Sequence, residues 1–509
     1  MQAQGKQGNT GNPSGGCVIQ PEAREGQAGP RGVADRSVVP SKPGNSGGGK
    51  GPEFKGQRSQ RRRAGGLTMR LTPTLKVQKL QAALQAKAKS APTYRFYALY
   101  DKLYRLDVLW HALARCRANG GAPGVDGQTF ADIEAYGEEK WLGELAEELK
   151  KKTYRPQAVR RAWQPKPDGT QRPLGIPTIR DRVVQMAAVL ILEPIFEADL
   201  QPEQYAYRAE RSALDAVQAA QALVRTGHTE VVDADLSGYF DSIPHSELMK
   251  SLARRISDRH MLHLLKAWLE MPVEETDERG RTQRTTRNRD EKKGTPQGAP
   301  ISPLLANLYM RRFIVGWKTL GHEQRLKARL VNYADDFVIC CRGTGRQAMA
   351  AMRDMMAKLK LTVNEKKTRL CRLPEETFDF MGYTIGRCYS SRTGRAYLGP
   401  KPAVRKVRRI CEELSECTRR KTTRLSVEEQ ITRLNRVLVG WSNYFCMGPV
   451  SRAYRAIDQH VCRRLRQWLC AKHKVPGRGF TRYPDKYLHQ ELGLRQLSGR
   501  PRKLLWANA

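Results

Sequence analysis

The chain has 509 residues, with 90 Lys+Arg against 51 Asp+Glu, a formal charge of +39 and a pI near 10.1. That length accommodates two or three domains with real cores, and that charge makes a polyanion the natural partner, because neutralised phosphates release their counterions. Nothing reads as a basic amphipathic helix with an aromatic face, nor as a charged start followed by an apolar core, so neither a membrane partner nor a secretory leader is expected; the 11 cysteines lack Cys-x-x-Cys or zinc-type His spacing, which fits a reduced cytosol.

In chain order, residues 1–69 are rich in Gly, Pro, Ser and basic side chains and too poor in apolar ones to fold alone, so a disordered basic tail is expected. Arg61-Arg62-Arg63 would brush phosphates or merely solubilise. Residues 70–130 read as a helical extension and the start of the next region: Leu75, Val77, Leu80 and Leu84, then Phe96, Leu99, Leu103, Leu106 and Leu109 recur at helical spacing until Gly120-Gly121-Ala122-Pro123-Gly124. Residues 131–392 mix strands and helices without βαβ rhythm, an α+β body. Val183 to Leu200 is interrupted by Gln185, Glu193, Glu197 and Asp199, so it reads as a buried helix. Ser212-x-x-Asp215 and Ser426-x-x-Glu429 read as capping boxes, and the charged stretch Glu274 to Lys293 as a surface hairpin. Residues 393–472 are helical after Gly399, with stripes Val404/Val407/Cys411/Leu414, Ile431/Leu434/Leu438/Trp441/Phe445 and Tyr454/Ile457/Val461/Leu465/Trp468, a three-helix bundle with basic outer faces. Residues 473–509 read as a short basic segment, with no cysteines and one histidine, His489, after Lys474; no HNH endonuclease is expected there.

The chemistry concentrates at two acidic places. Tyr333-Ala334-Asp335-Asp336 sits between β-prone Leu330-Val331 and Phe337-Val338-Ile339, the pattern of a tight turn joining antiparallel strands, and Val231-Val232-Asp233-Ala234-Asp235-Leu236 is a second acidic strand. Hard Mg²⁺ ions take a few carboxylates plus substrate phosphates, and a pair of them clamps the attacking and leaving oxygens of phosphoryl transfer. Alone, Asp335-Asp336 would equally be an ordinary acidic turn.

The order of motifs goes further. Asp235, then Gly294-Thr295-Pro296-Gln297-Gly298, then Tyr-Ala-Asp-Asp resembles motifs A, B and C of reverse transcriptases. Ala122-Pro123-Gly124-Val125-Asp126-Gly127 and the block from Lys166-Pro167-Asp168-Gly169 through Arg172-Pro173-Leu174-Gly175-Ile176-Pro177-Thr178 to Asp181-Arg182 resemble two earlier motifs; Gly440-Trp441-Ser442-Asn443-Tyr444-Phe445 resembles a maturase signature. Over residues 71–472 the chain resembles group II intron-encoded reverse transcriptase/maturases. Tyr205-Ala206-Tyr207-Arg208-Ala209 departs from the family's usual Tyr-Gly-Phe-Arg-Pro, which would lower backbone freedom and alter template contacts.

The resemblance implies a right-hand polymerase, fingers and palm with an antiparallel palm sheet, followed by an all-α thumb that doubles as the maturase (X) domain. It implies that Asp235, Asp335 and Asp336, with Leu236 beside the first, form the Mg²⁺ site; Asp233 competes with Asp235, which has the family's spacing before Phe240. Phe240 would be the gate against a ribose 2′-OH, or a core phenylalanine. Lys166 and Arg172 would hold the triphosphate, or be solvated charges; Gln297 and Gly298 would contact the nucleotide. Lys367 matches a motif D lysine, with Lys366 one residue away; Phe380-Met381-Gly382-Tyr383 matches a primer grip, and Arg405, Lys406, Arg408 and Arg409 would grip RNA. The implied partners are group II intron RNA, an RNA template with DNA primer, target DNA and dNTPs, in a bacterial-type cytoplasm beside the nucleoid. An RNA-binding splicing cofactor without polymerase role and a domesticated enzyme of DNA repair or defence are the alternatives.

Overall fold

The structure, a computed structural model, describes residues 74–165, 171–277, 279–390 and 393–499. Arg61–Arg63 and Lys166 lie outside these residues.

Helices α1 (Leu75–Ser90), α2 (Leu106–Asn119) and α3 (Glu138–Lys150) lead in. Val77, Leu84, Phe96, Leu99, Leu103 and Leu109 are buried as their spacing predicts, whereas Leu75 and Leu106 open their helices at the N-terminal end and stay half or more exposed. Gly120, at φ 62°, caps α2 where the glycine run begins. The strand β1 (Val159–Pro165) pairs antiparallel with β2 (Gln171–Ile176), setting Gln164 opposite Arg172. Its other edge takes β4 (Val273–Thr276) in parallel, and β4 pairs with β5 (Thr282–Thr285). The charged hairpin expected at the surface therefore extends this first sheet.

The second sheet has the order β6-β7-β3-β8, all antiparallel, from β3 (Glu230–Asp235), β6 (Ala328–Tyr333), β7 (Asp336–Cys341) and β8 (Arg369–Arg372). Alternation along β3 sends Val232 and Ala234 into the main core and turns Val231, Asp233 and Asp235 to the opposite face. That main core also contains α4 (Ile179–Glu197), buried nearly throughout, and α5 (Ser302–Thr319). Among the described residues no helix is long and apolar enough to cross a membrane. Both capping boxes form, Ser212 with Asp215 and Ser426 with Glu429.

A third sheet, β9 (Phe378–Phe380), β10 (Tyr383–Tyr389) and β11 (Ala396–Pro402), leads into the bundle α6 (Val404–Cys417), α7 (Val427–Tyr444) and α8 (Ser451–His473). The second and third stripes are buried or half-buried; of the first, Leu414 is buried and Val407 and Cys411 pack half-buried against the core, whereas Val404 is 72% exposed, and Ile410 and Cys417 complete the inward face of α6. After Lys474, in the left-handed region at φ 52°, the chain folds back and adds Tyr483, Leu488, Leu494 and Leu497 to the same core. Asp458 holds this return by accepting the Leu497 and Ser498 N–H groups at 2.9 Å each.

Candidate active site

Strand register brings the acidic residues together. Asp235 ends β3 directly opposite Asp336, the first residue of β7, and Tyr333 faces Asp336 from β6. Asp335 lies in the turn between β6 and β7, where Ala334 takes φ 58° and Asn332 Nδ2 donates to the Ala334 carbonyl at 2.9 Å. The two neighbouring carboxylates meet different surroundings. The Asp335 charge adds to the burial that pushes the Tyr207 hydroxyl up to about 12. The Asp336 charge acts in the same way on Tyr444, the last residue of α7, whose hydroxyl burial pushes well above its usual value.

Asp235 is held by two donors. Asn364 Nδ2 donates to its Oδ2 at 3.0 Å, and Lys367 Nζ stands 3.4 Å from the same oxygen. Asp233, two residues earlier on the same face, pairs instead with Arg369 at 3.4 Å; burial pushes its carboxyl up to about 6 despite that cation.

Phe240 lies in a single helical turn, Tyr239–Ser242, half-buried and edge-on to Tyr239 at 5.8 Å. The Gly294–Gly298 loop is strung between this turn and the first sheet. Gly294 and Thr295 donate their N–H groups to the carbonyls of Ile243 and Phe240, and Gly175 N–H donates to the Gln297 carbonyl at 2.7 Å. Gly298 sits at φ 112°, and a Cβ there would come within 2.9 Å of the Gly175 carbonyl oxygen; its freedom serves this close approach between two backbones. The Gln297 side chain donates to Asp241 Oδ2 at 3.0 Å. Arg172 is half-buried on β2, and its charge acts on the Tyr207 hydroxyl that also feels Asp335.

The glycine-containing hairpin Phe380–Tyr383 meets the maturase-like block. Tyr444 Oη donates to the Met381 carbonyl at 2.7 Å, Tyr383 Oη donates to the Tyr444 carbonyl, and Phe445 packs on Tyr383 with ring centres 5.2 Å apart. Beside it Arg405 pairs with Asp379 at 3.3 Å; Arg405 and Arg408 are exposed, Lys406 and Arg409 half-buried.

Asn364, Asp241, Tyr207 and Tyr444 are neighbours of the site that sequence reasoning did not assign to it. The departure at Tyr207 was the available signal for one: this residue takes φ 54°, a value that favours glycine, and is 44% exposed beside the turn. Asn307 Nδ2, donating to the Ala206 carbonyl at 2.6 Å, and Tyr205 N–H, donating to the Asn332 carbonyl at 3.0 Å, pin this loop against the acidic hairpin.

Among the described residues no three His, Cys, Asp or Glu side chains converge tightly enough to enclose an ion. The donors present are hard carboxylate oxygens at the end of two paired strands, which suits Mg²⁺, an ion that binds through one or two carboxylates and completes its shell with water and substrate phosphates. Leu236 is 4% exposed and its side chain is hydrocarbon, so only its carbonyl could join them.

Comparison with known proteins identifies two regions of the chain. Residues 164–385 match the reverse transcriptase (RNA-dependent DNA polymerase) family, and residues 407–487 match the group II intron maturase-specific domain. Protein YkfC of Escherichia coli K12 is 32% identical over 348 residues, covering 61% of this chain and 88% of YkfC. Group II intron-encoded protein LtrA of Lactococcus lactis subsp. cremoris is 29% identical over 352 residues, 57% of each chain, so the chain spans little more than half of that relative. A putative COX1/OXI3 intron 1 protein of Saccharomyces cerevisiae is 26% identical over 339 residues, 56% of this chain and 39% of the yeast protein.

Proposed function

The chain belongs to the group II intron-encoded reverse transcriptases/maturases, with an RNA-dependent DNA polymerase domain ahead of a maturase-specific one, and on that premise we propose that it binds its intron RNA, assists splicing and copies the intron into cDNA during retrohoming. The observation that carries this reading is the register that sets Asp235 against Asp336 with Asp335 in the adjoining turn.

Asp235 and Asp335, with the Leu236 carbonyl, are the groups that would hold Mg²⁺, and Asp336 adds negative charge beside them. Bound there, the metal would polarise the phosphoryl group and lower the pKa of a primer hydroxyl. Asn364 and Lys367 fix the Asp235 carboxylate before substrate arrives. Arg172 supplies a bidentate fork for a dNTP triphosphate, and Lys166 would add a point charge. Phe240 closes the sugar side of the pocket, and the Gln297 amide, oriented by Asp241, meets the nucleotide. Tyr444 and Met381 lock the hairpin that would seat the primer end to the end of α7 in the RNA-binding bundle. The net charge of +39 favours residence on nucleic acid, with target DNA as a further partner.

Primer extension on an RNA template with Mg²⁺ tests the reading. The wild-type chain extends a DNA primer; an Asp335→Ala/Asp336→Ala chain binds the same RNA and extends nothing. Near-normal cDNA from the double variant refutes the assignment.

A further inference from the structure

A cavity of about 200 Å³ opens away from the acidic hairpin, where the end of α3 meets the helix Arg259–Leu269. Its lining includes Lys152, Arg155, His260 and His263 and no carboxylate. Among the described residues none of these four forms an ion pair with an acid. Lys152 Nζ donates to His260 Nε2 at 2.9 Å, which holds the ammonium over the cavity. Lys152 is held in the left-handed region at φ 61°, a conformation that is strained for a non-glycine residue. Arg155 Nη1 donates to the Lys152 and Tyr154 carbonyls at 2.9 Å, which anchors the guanidinium at the rim.

The polar groups behind this wall are already engaged by other partners. Tyr154 Oη donates to Asp181 Oδ1 at 2.5 Å, and Asp181 also accepts the Gln157 N–H. Tyr100 Oη is spent on the Leu149 carbonyl. Asp258, a second acid behind the lining, accepts four backbone N–H groups, from Leu99, Tyr100, His260 and Met261. A concave site that carries a lysine and an arginine without ion pairs, beside carboxylates already engaged by other donors, lowers its self-repulsion by taking an anion.

We propose that this cavity is a phosphate-binding site, with Lys152 and Arg155 as the charged donors and His260 and His263 completing the shell, and that its ligand is a backbone phosphate of a bound nucleic-acid strand. The site stands apart from the polymerase centre and does not depend on the reading of that centre. Free inorganic phosphate offers the same chemistry, and the experiment separates the two sources.

The full-length protein is titrated with a labelled single-stranded oligoribonucleotide at several NaCl concentrations, as wild type, as Lys152→Gln/Arg155→Gln, and as Lys150→Gln/Lys151→Gln, which removes neighbouring lysines outside the cavity lining. The cavity variant should lose about 0.7 units of log–log salt slope, the share of one phosphate contact on a single strand, and the control variant markedly less. Calorimetric titration with inorganic phosphate forms the second arm: heat present in wild type, absent in the cavity variant, with an unchanged salt slope, assigns the site to free phosphate. An unchanged slope together with no phosphate heat in wild type overturns the proposal. Primer extension at saturating template should keep its kcat in the cavity variant, so a failure of this site and a failure of the polymerase reading give different results.

Discussion

Lys367 Nζ stands 3.4 Å from Asp235 Oδ2, on a carboxylate that also accepts Asn364 Nδ2 at 3.0 Å. Lys366 and Lys367 are indistinguishable by composition, yet this contact singles out the second as the cation at the acidic site. Lys367→Ala should slow nucleotide addition by roughly a hundredfold, the scale for removing one pre-organised donor from an active site. Lys366→Ala should stay within about twofold of wild type under single-turnover conditions. Equal effects of the two changes would remove Lys367 from the site.

Asp235→Asn keeps the shape of the side chain and its contact with Asn364 while removing the charge. DNA synthesis should fall by three orders of magnitude or about that, with the melting temperature little changed, because the residue is a partly exposed strand end and no cavity is opened. Synthesis that survives in the variant, measured with Mg²⁺ and stopped by chelator in wild type, would place the metal elsewhere.

Phe240 packs on Tyr239 while keeping part of its surface open. Phe240→Val should therefore raise the rNTP/dNTP incorporation ratio by about tenfold or more, at a stability cost near 1–2 kcal/mol for the lost ring contacts. An unchanged ratio with the stability loss would leave Phe240 a packing residue.

The 3.0 Å bond from Gln297 to Asp241 predicts a split in kinetics. Asp241→Ala frees the Gln297 amide, so the KM for dNTP should rise about three- to tenfold while kcat moves less, since the lost effect is pre-organisation of a binding group. Gln297→Ala should show the same KM, and the double variant no further rise. Additive effects would show that the two residues act separately.

Neutralising Arg405, Lys406, Arg408 and Arg409 together should weaken binding of intron RNA and lower its log–log salt slope, by about 0.7 to 0.9 per lost phosphate contact. Arg405 is already paired with Asp379, which offsets part of its contribution. Filter binding across salt concentrations measures this, and an unchanged slope moves the clamp to another face.

Much of this protein was legible in one dimension. Alternation along Val231–Leu236, the apolar flanks of Asp335-Asp336 and the capping boxes are local patterns, and local patterns survive because strand and helix periods dictate which side chains share a face. Val404 shows the limit of this: it fits the helical period of α6 but sits at the first residue, where nothing packs above it. The neighbours of the site were not legible. Asp241 reaches Gln297 across 56 residues, Tyr444 reaches Met381 across 63, and Lys152 reaches His260 across 108. Periodicity says which face a residue occupies and nothing about what arrives opposite it; that depends on how sheets and helices stack, and only the packed chain brings those side chains within a few ångströms of one another.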